Sequence, residues 1–225
     1  NFTLAKNKLK KFFYMDKLPH VIQPETYEMK EDISLKGKWI GGFFKNDNPI
    51  VLELGCGKGE YSVELAERYP NKNYIGVDIK GNRMWVGAQD SFEKKLNNIA
   101  FLRIRIENII KCFAENEVSE IWITFPDPQI KRKRQSKRLT HPDFLKRYRT
   151  FLSEDAVINL KTDSQFLYGY TLGIIEGEGH ELLDCTNDLY NVNQTRENLE
   201  IKTHYEKIYL EKGTPITYIK FRVKY

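Results

Sequence analysis

Ten residues, Val51-Leu52-Glu53-Leu54-Gly55-Cys56-Gly57-Lys58-Gly59-Glu60, constrain the fold of this chain more than any other stretch. An apolar run of strand character carries an acid, Glu53, near its end. Three glycines follow at alternate positions, and helical spacing then begins with Tyr61, Leu65, Ala66 and Tyr69. The pattern is a strand, a turn bare of side chains and a helix. Glycine there lets the backbone take positive φ and approach a ligand closely. The N–H groups of the following helix point the same way, which suits a carboxylate or phosphate. A dinucleotide fingerprint needs glycine three positions after the second one, and Glu60 stands there. A second acid, Asp78, closes the next apolar run, Asn73-Tyr74-Ile75-Gly76-Val77, where it can accept from ribose hydroxyls.

The acid-x-Gly-x-Gly-x-Gly form resembles the first motif of class I S-adenosylmethionine methyltransferases. That resemblance implies that the loop of Gly55 and Gly57 holds the methionyl moiety, that Asp78 holds the ribose and that Glu53 lies close to the cofactor.

The 225 residues suffice for one sizeable α/β domain. No apolar run approaches the ~18 residues of a membrane helix, and no signal-peptide pattern opens the chain. Cys56, Cys112 and Cys185 lie far apart without metal spacing, and the four histidines are scattered. The expectation is a cytoplasmic protein with reduced thiols and no metal. Net charge is +5, but residues 131–149 carry nine Lys or Arg against Asp143 alone, leaving the rest of the chain at −3. So concentrated a basic segment is the footprint of a polyanionic partner.

Residues 1–48 read as an arm outside the sheet. Lys6, Lys8, Lys10 and Lys11 precede Phe12-Phe13-Tyr14, and Pro19 and Pro24 follow. The arm either grips phosphates and stacks on bases or is pinned to the domain by its aromatics with its lysines facing water, and the pinned form is favoured. From Ile50 onward, in the domain of residues 49–225, strands fit 50–54, 73–78, 99–104, 120–124, 156–160 and 181–183, with a final strand over 216–223. Helices fit 81–95, 107–115, 142–152 and 163–176, the last one capped by Asp163. Such alternation predicts a doubly wound, mostly parallel Rossmann-like sheet with an antiparallel C-terminal strand. Ligands sit outside the carboxyl ends of such strands.

The fourth of these runs leads into Phe125-Pro126-Asp127-Pro128, where two prolines restrict the backbone on either side of one carboxylate. Then comes Lys131-Arg132-Lys133-Arg134-Gln135-Ser136-Lys137-Arg138, six of eight residues cationic. A carboxylate at a strand tip and a phosphate-binding segment are thus about three residues apart.

Here the chain resembles the bacterial tRNA (guanine-N7)-methyltransferases from about residue 35 to its end. That family has a Pro-Asp-Pro or Ser-Asp-Pro turn followed by a basic loop. Lys161-Thr162-Asp163 and Thr203-His204-Tyr205-Glu206 match two further family motifs. The resemblance implies that Glu53, Gly55, Gly57, Asp78 and Asp127 contact the methyl donor. Asn108 stands in place of an acid that contacts adenine, with Glu107 as the other register. Lys131, Asp163, Thr203, Tyr205 and Glu206 would contact the RNA or its guanine, and Asp127 would be catalytic. It also implies tRNA as partner and the variable-loop guanosine as target; monomer and homodimer both stay open. Gln135, where the family often has His, and Leu139, where a basic triplet usually ends, depart from the pattern. Each carried-over residue has a structural rival: Asp163 as an N-cap, and Thr203 with Glu206 as a capping box.

Guanine N7 is an in-plane lone pair, unprotonated near neutrality, so no general base is needed. Alignment, and carboxylates facing positive charge on the purine, would carry catalysis. Other functions fit less well. Methyltransferases of exocyclic amines use a turn with two adjacent prolines, absent from Pro126-Asp127-Pro128-Gln129. A small-molecule aminopropyl- or methyltransferase does not need the basic loop. A non-catalytic RNA-binding protein would not need Glu53, Gly55, Gly57 and Asp78 intact.

Overall fold

The computed structural model describes residues 14–24, 29–191, 199, 201–202 and 204–224, with the backbone alone at 204–205. The chain divides into two compact units, Asn1–Phe113 and Ala114–Tyr225. The first joins the expected arm to the first half of the expected domain.

Unit 1 contains β1 (Val21–Ile22), β2 (Ile50–Leu54), α1 (Glu60–Arg68), β3 (Asn73–Asp78), α2 (Gly81–Glu93) and β4 (Ile99–Arg103). Its strands lie in the order β1-β4-β3-β2 and are all parallel, with Leu52 opposite Ile75 and Val77 opposite Leu102. Every residue of β2 is buried, as is all of β3 but Asp78. That is the mark of a parallel sheet covered on both faces, and it explains why these strands read as unbroken apolar runs.

The arm departs from expectation, because Val21 and Ile22 extend the sheet beside Phe101 and Leu102. Two residues between turns carry no readable period. The arm is held by Met15, Trp39 and Phe44, all buried. Trp39 donates its indole N–H to the Cys112 carbonyl at 2.8 Å and stacks on Phe113. Tyr14 is exposed, and Lys6 to Phe13 lie outside the described residues. The helix expected near 107–115 is a 3₁₀ segment, Ile106–Lys111.

Unit 2 contains β5 (Val118–Thr124), a 3₁₀ segment (Arg132–Lys137), α3 (Pro142–Arg149), β6 (Leu152–Thr162), α4 (Gln165–Gly177), β7 (Glu181–Thr186), α5 (His204–Glu211) and β8 (Thr217–Arg222). The strand order is β5-β6-β8-β7. β5 and β6 are parallel, and β8 runs antiparallel to both of its neighbours. β6 begins four residues before its expected start. Exposed Glu154 and Asp155 interrupt the apolar pattern there, while Leu152 pairs with Val118 ahead of a register shift. Two further differences matter for function. The N-cap of α4 is Ser164, whose hydroxyl accepts from the Leu167 N–H at 3.2 Å; Asp163 is not the cap. And α5 forms where the sequence offered only the capping-box spacing of Thr203 and Glu206; Thr203 itself lies outside the described residues.

Candidate active site

In unit 1 the three alternate glycines all have positive φ, at 75° for Gly55, 56° for Gly57 and 74° for Gly59. They do different work. A Cβ on Gly59 would come within 2.5 Å of the Phe101 ring, and one on Gly87 would meet the Lys58 carbonyl at 2.5 Å. Gly59 therefore lets α1 seat against Phe101, and Gly87 lets α2 approach the turn. A Cβ on Gly57 would meet nothing within 4 Å. Gly57 thus has open space over it, and a ligand's backbone-facing edge fits there.

Asp78 fixes that turn. One carboxylate oxygen accepts from the Gly57 N–H at 2.9 Å and the other from the Lys80 N–H at 2.8 Å. Each oxygen keeps acceptor capacity for a hydroxyl, as ribose binding requires. Glu53 is buried, and its carboxylate accepts from the Ser62 N–H at 3.0 Å and from the Ser62 hydroxyl at 2.5 Å. Gly59 has no side chain to cap α1, so Glu53 satisfies one orphan donor of that helix and places negative charge at its positive end. A donor set of bare glycine turn, acid at the second strand tip and helix N-terminus fits an adenosyl donor. Asn108 is half-buried in the 3₁₀ segment after β4, and Glu107 beside it is exposed. Beneath the turn the Cys56 thiol is buried and pushed well up by burial, which makes it inert.

In unit 2 the Pro-Asp-Pro run is bracketed by two left-handed residues, Phe125 at φ 48° and Gln129 at φ 47°. Such φ values in non-glycine residues are strained and cluster at functional sites. The Phe125 N–H continues the ladder to the Lys161 carbonyl at 2.8 Å, and its ring stacks on Tyr209. Asp127 is exposed and closes an Asx turn on the Gln129 N–H at 3.0 Å. Because β5 and β6 are parallel, Asp127 and Asp163 follow strand tips on the same edge. Asp163 is half-buried, and its carboxyl is raised from the ordinary range by desolvation.

The basic run splits in two. Lys131, Arg132, Lys133, Arg134 and Lys137 are exposed, as a phosphate-binding segment must be. Arg138 is buried, donates to the Gln129 carbonyl at 3.1 Å, and lies over the rings of Phe166 and Tyr170. Glu206, by contrast, is wholly buried. It pairs with Lys161 at 2.8 Å and accepts the Tyr190 hydroxyl, while Lys161 also donates to the Leu199 and Ile201 carbonyls. Thr203 and the Tyr205 side chain lie outside the described residues.

A family model described as "Putative methyltransferase" matches residues 47–219. Two curated proteins called tRNA (guanine-N(7)-)-methyltransferase align along nearly the whole chain. The one from Christiangramia forsetii is 57% identical over 98% of this chain and 99% of its own. The one from Bacteroides fragilis is 51% identical over 97% of this chain and 86% of its own. The chain belongs to the tRNA (guanine-N7)-methyltransferase family. Among solved structures, a 16S rRNA methyltransferase, KamB, superposes with a TM-score of 0.64 at 12% identity, over 89% of this chain and 98% of its own. An antibiotic-related methyltransferase gives 0.62 at 16% identity, over 87% and 97%. Both carry the doubly wound, mostly parallel Rossmann-like fold that this family member shares.

In this methyltransferase Ser62 partners Glu53, and Lys161 and Tyr190 partner Glu206, pairings that its sequence does not spell out. Lys161 left a signal, since a lysine closing the apolar run Ala156–Leu160 needs a buried acid. Ser62 and Tyr190 left none. Among the described residues no group of three or more His, Cys, Asp or Glu could hold a metal, and no helix is long and apolar enough to cross a membrane.

Proposed function

We propose that this methyltransferase transfers a methyl group from S-adenosylmethionine to N7 of the variable-loop guanosine of tRNA. The donor supplies a methyl already activated on a sulfonium, so the chain's residues bind and align. What supports the reading most directly is the turn at Gly57, open above and clamped by Asp78 below. Gly55, Gly57, Asp78 and Asn108 hold the donor, with Glu53 setting the helix that completes the turn.

Asp127 contacts the donor and is the catalytic residue. Its exposed carboxylate, rigidly placed by the Asx turn, faces the positive charge that appears on the purine. Asp163 accepts from the guanine's N1–H and N2 amino edge. Thr203, Tyr205 and Glu206 complete that contact, Glu206 by exchanging an internal partner for the base. Lys131 and the exposed cations after it grip phosphates. No metal takes part, because N7 is already nucleophilic and the methyl already activated. The reaction is set in the cytoplasm, where tRNA is, and either a monomer or a homodimer can carry it out.

Incubating the protein with tRNA and isotopically labelled S-adenosylmethionine, then resolving the nucleosides by mass spectrometry, tests this. Labelled 7-methylguanosine from the variable loop is expected. Label on another atom or another position would overturn it.

A further inference from the structure

Phe166 is 43% exposed at the first turn of α4, an unusual place for a bare aromatic ring. Four residues on, Tyr170 lies beside it with ring planes 17° apart, as neighbours on one helical face do. The Arg138 guanidinium sits over both, 4.8 Å from the Phe166 centroid and 4.3 Å from that of Tyr170. The arrangement is poor as packing alone. Arg138 is buried, yet its Nε finds no hydrogen-bond partner among the described residues, and neither does Oε1 of neighbouring Gln129. A core would be better served by an aliphatic residue.

The surroundings say what such rings would take. Arg138 ends the run whose Lys131, Arg132, Lys133, Arg134 and Lys137 are exposed, and Phe166 follows Asp163 by three residues. Cations that track a backbone next to aromatic faces are how single-stranded nucleic acid is held.

We propose that Phe166 and Tyr170, backed by Arg138, form a stacking platform for one unpaired nucleobase of the bound RNA. This rests on the tRNA reading above. The platform is sequence-tolerant, since every base has a π-face. It adds affinity without ionic character, so its removal leaves the salt dependence of binding alone.

The test is fluorescence-anisotropy titration of the full chain with tRNA at several salt concentrations. Phe166→Ala and Phe166→Leu should each weaken binding about tenfold, with the wild-type salt slope, thermal midpoint and S-adenosylmethionine affinity retained. Phe166→Trp should restore affinity, and its added fluorescence should be quenched by tRNA. Wild-type affinity in Phe166→Leu, which keeps the bulk and lacks the π-face, overturns the platform and leaves the tRNA reading standing. A wild-type protein that binds no tRNA overturns both.

Discussion

Lys161 and Glu206 face one another 2.8 Å apart, both with no exposed side-chain surface, at the end of β6 and in the first turn of α5. The carboxylate also receives the Tyr190 hydroxyl, and the ammonium is shared with two backbone carbonyls. Losing one partner leaves an uncompensated buried charge. Glu206→Ala should therefore destabilise the protein by about 3–5 kcal/mol, and Glu206→Gln, which keeps an acceptor for the ammonium but not the compensating charge, by somewhat less. Urea unfolding of the three proteins measures this. A role toward guanine is then read from kcat/KM of Glu206→Gln at a temperature where it is fully folded.

Gly57→Ala and Gly87→Ala should fail in different ways. At Gly57 the new methyl meets no atom of the protein but strains a residue at φ 56°, at a cost of about 1–2 kcal/mol. It also fills the cradle, so calorimetry should show donor binding lost while the fold survives. At Gly87 the methyl lands 2.5 Å from the Lys58 carbonyl, so the thermal midpoint should fall first and donor binding with it.

Asp127→Asn preserves the Asx turn, because asparagine closes the same hydrogen bond, and removes only the charge. The thermal midpoint should be unchanged and kcat/KM on tRNA should fall about a hundredfold. Wild-type kcat/KM would move the catalytic role to another residue.

Asp163 carries a pH signature. Its folded pKa lies above the ordinary 3.8 because burial disfavours the charged form. Its stabilising contribution is therefore fully present below the unfolded value and is lost as pH rises through the raised folded value. Asp163→Asn should thus raise the neutral-pH midpoint slightly. As an acceptor for guanine it must be ionised, so wild-type activity should decline in acid earlier than an ordinary aspartate would allow. Coincident acid limbs for wild type and an active Asp163→Asn would remove Asp163 from the site.

Replacing Lys131, Arg132, Lys133 and Arg134 together by Ala should reduce the log–log salt slope of tRNA binding by about three. Arg138→Ala belongs to another class. It empties a buried seat under Phe166 and Tyr170, and its main expected effect is a lower thermal midpoint. An unchanged slope in the fourfold variant would place the phosphate contacts elsewhere.

The alternation of strands and helices from Ile50 to Thr186 apart from the 3₁₀ segment after β4, the bare turn at Gly55 to Gly59, the acid at Asp78 and the basic run after Asp127 were legible in the chain, whereas β1 and α5 were not. Each legible feature is a local pattern: apolar period, glycine placement, or charge density along consecutive residues. Which glycine opens and which only packs was not legible, because that depends on Phe101 and Gly87, brought to the turn by β4 and α2. The same holds for the acids. Sequence alone allowed Asp163 a capping role and showed no buried cation beside Glu206. In the folded chain Ser164 caps α4, and Glu206 is buried against Lys161, 45 residues away. A carboxylate's partner is set by contacts distant in sequence, and spacing along the chain carries no record of them.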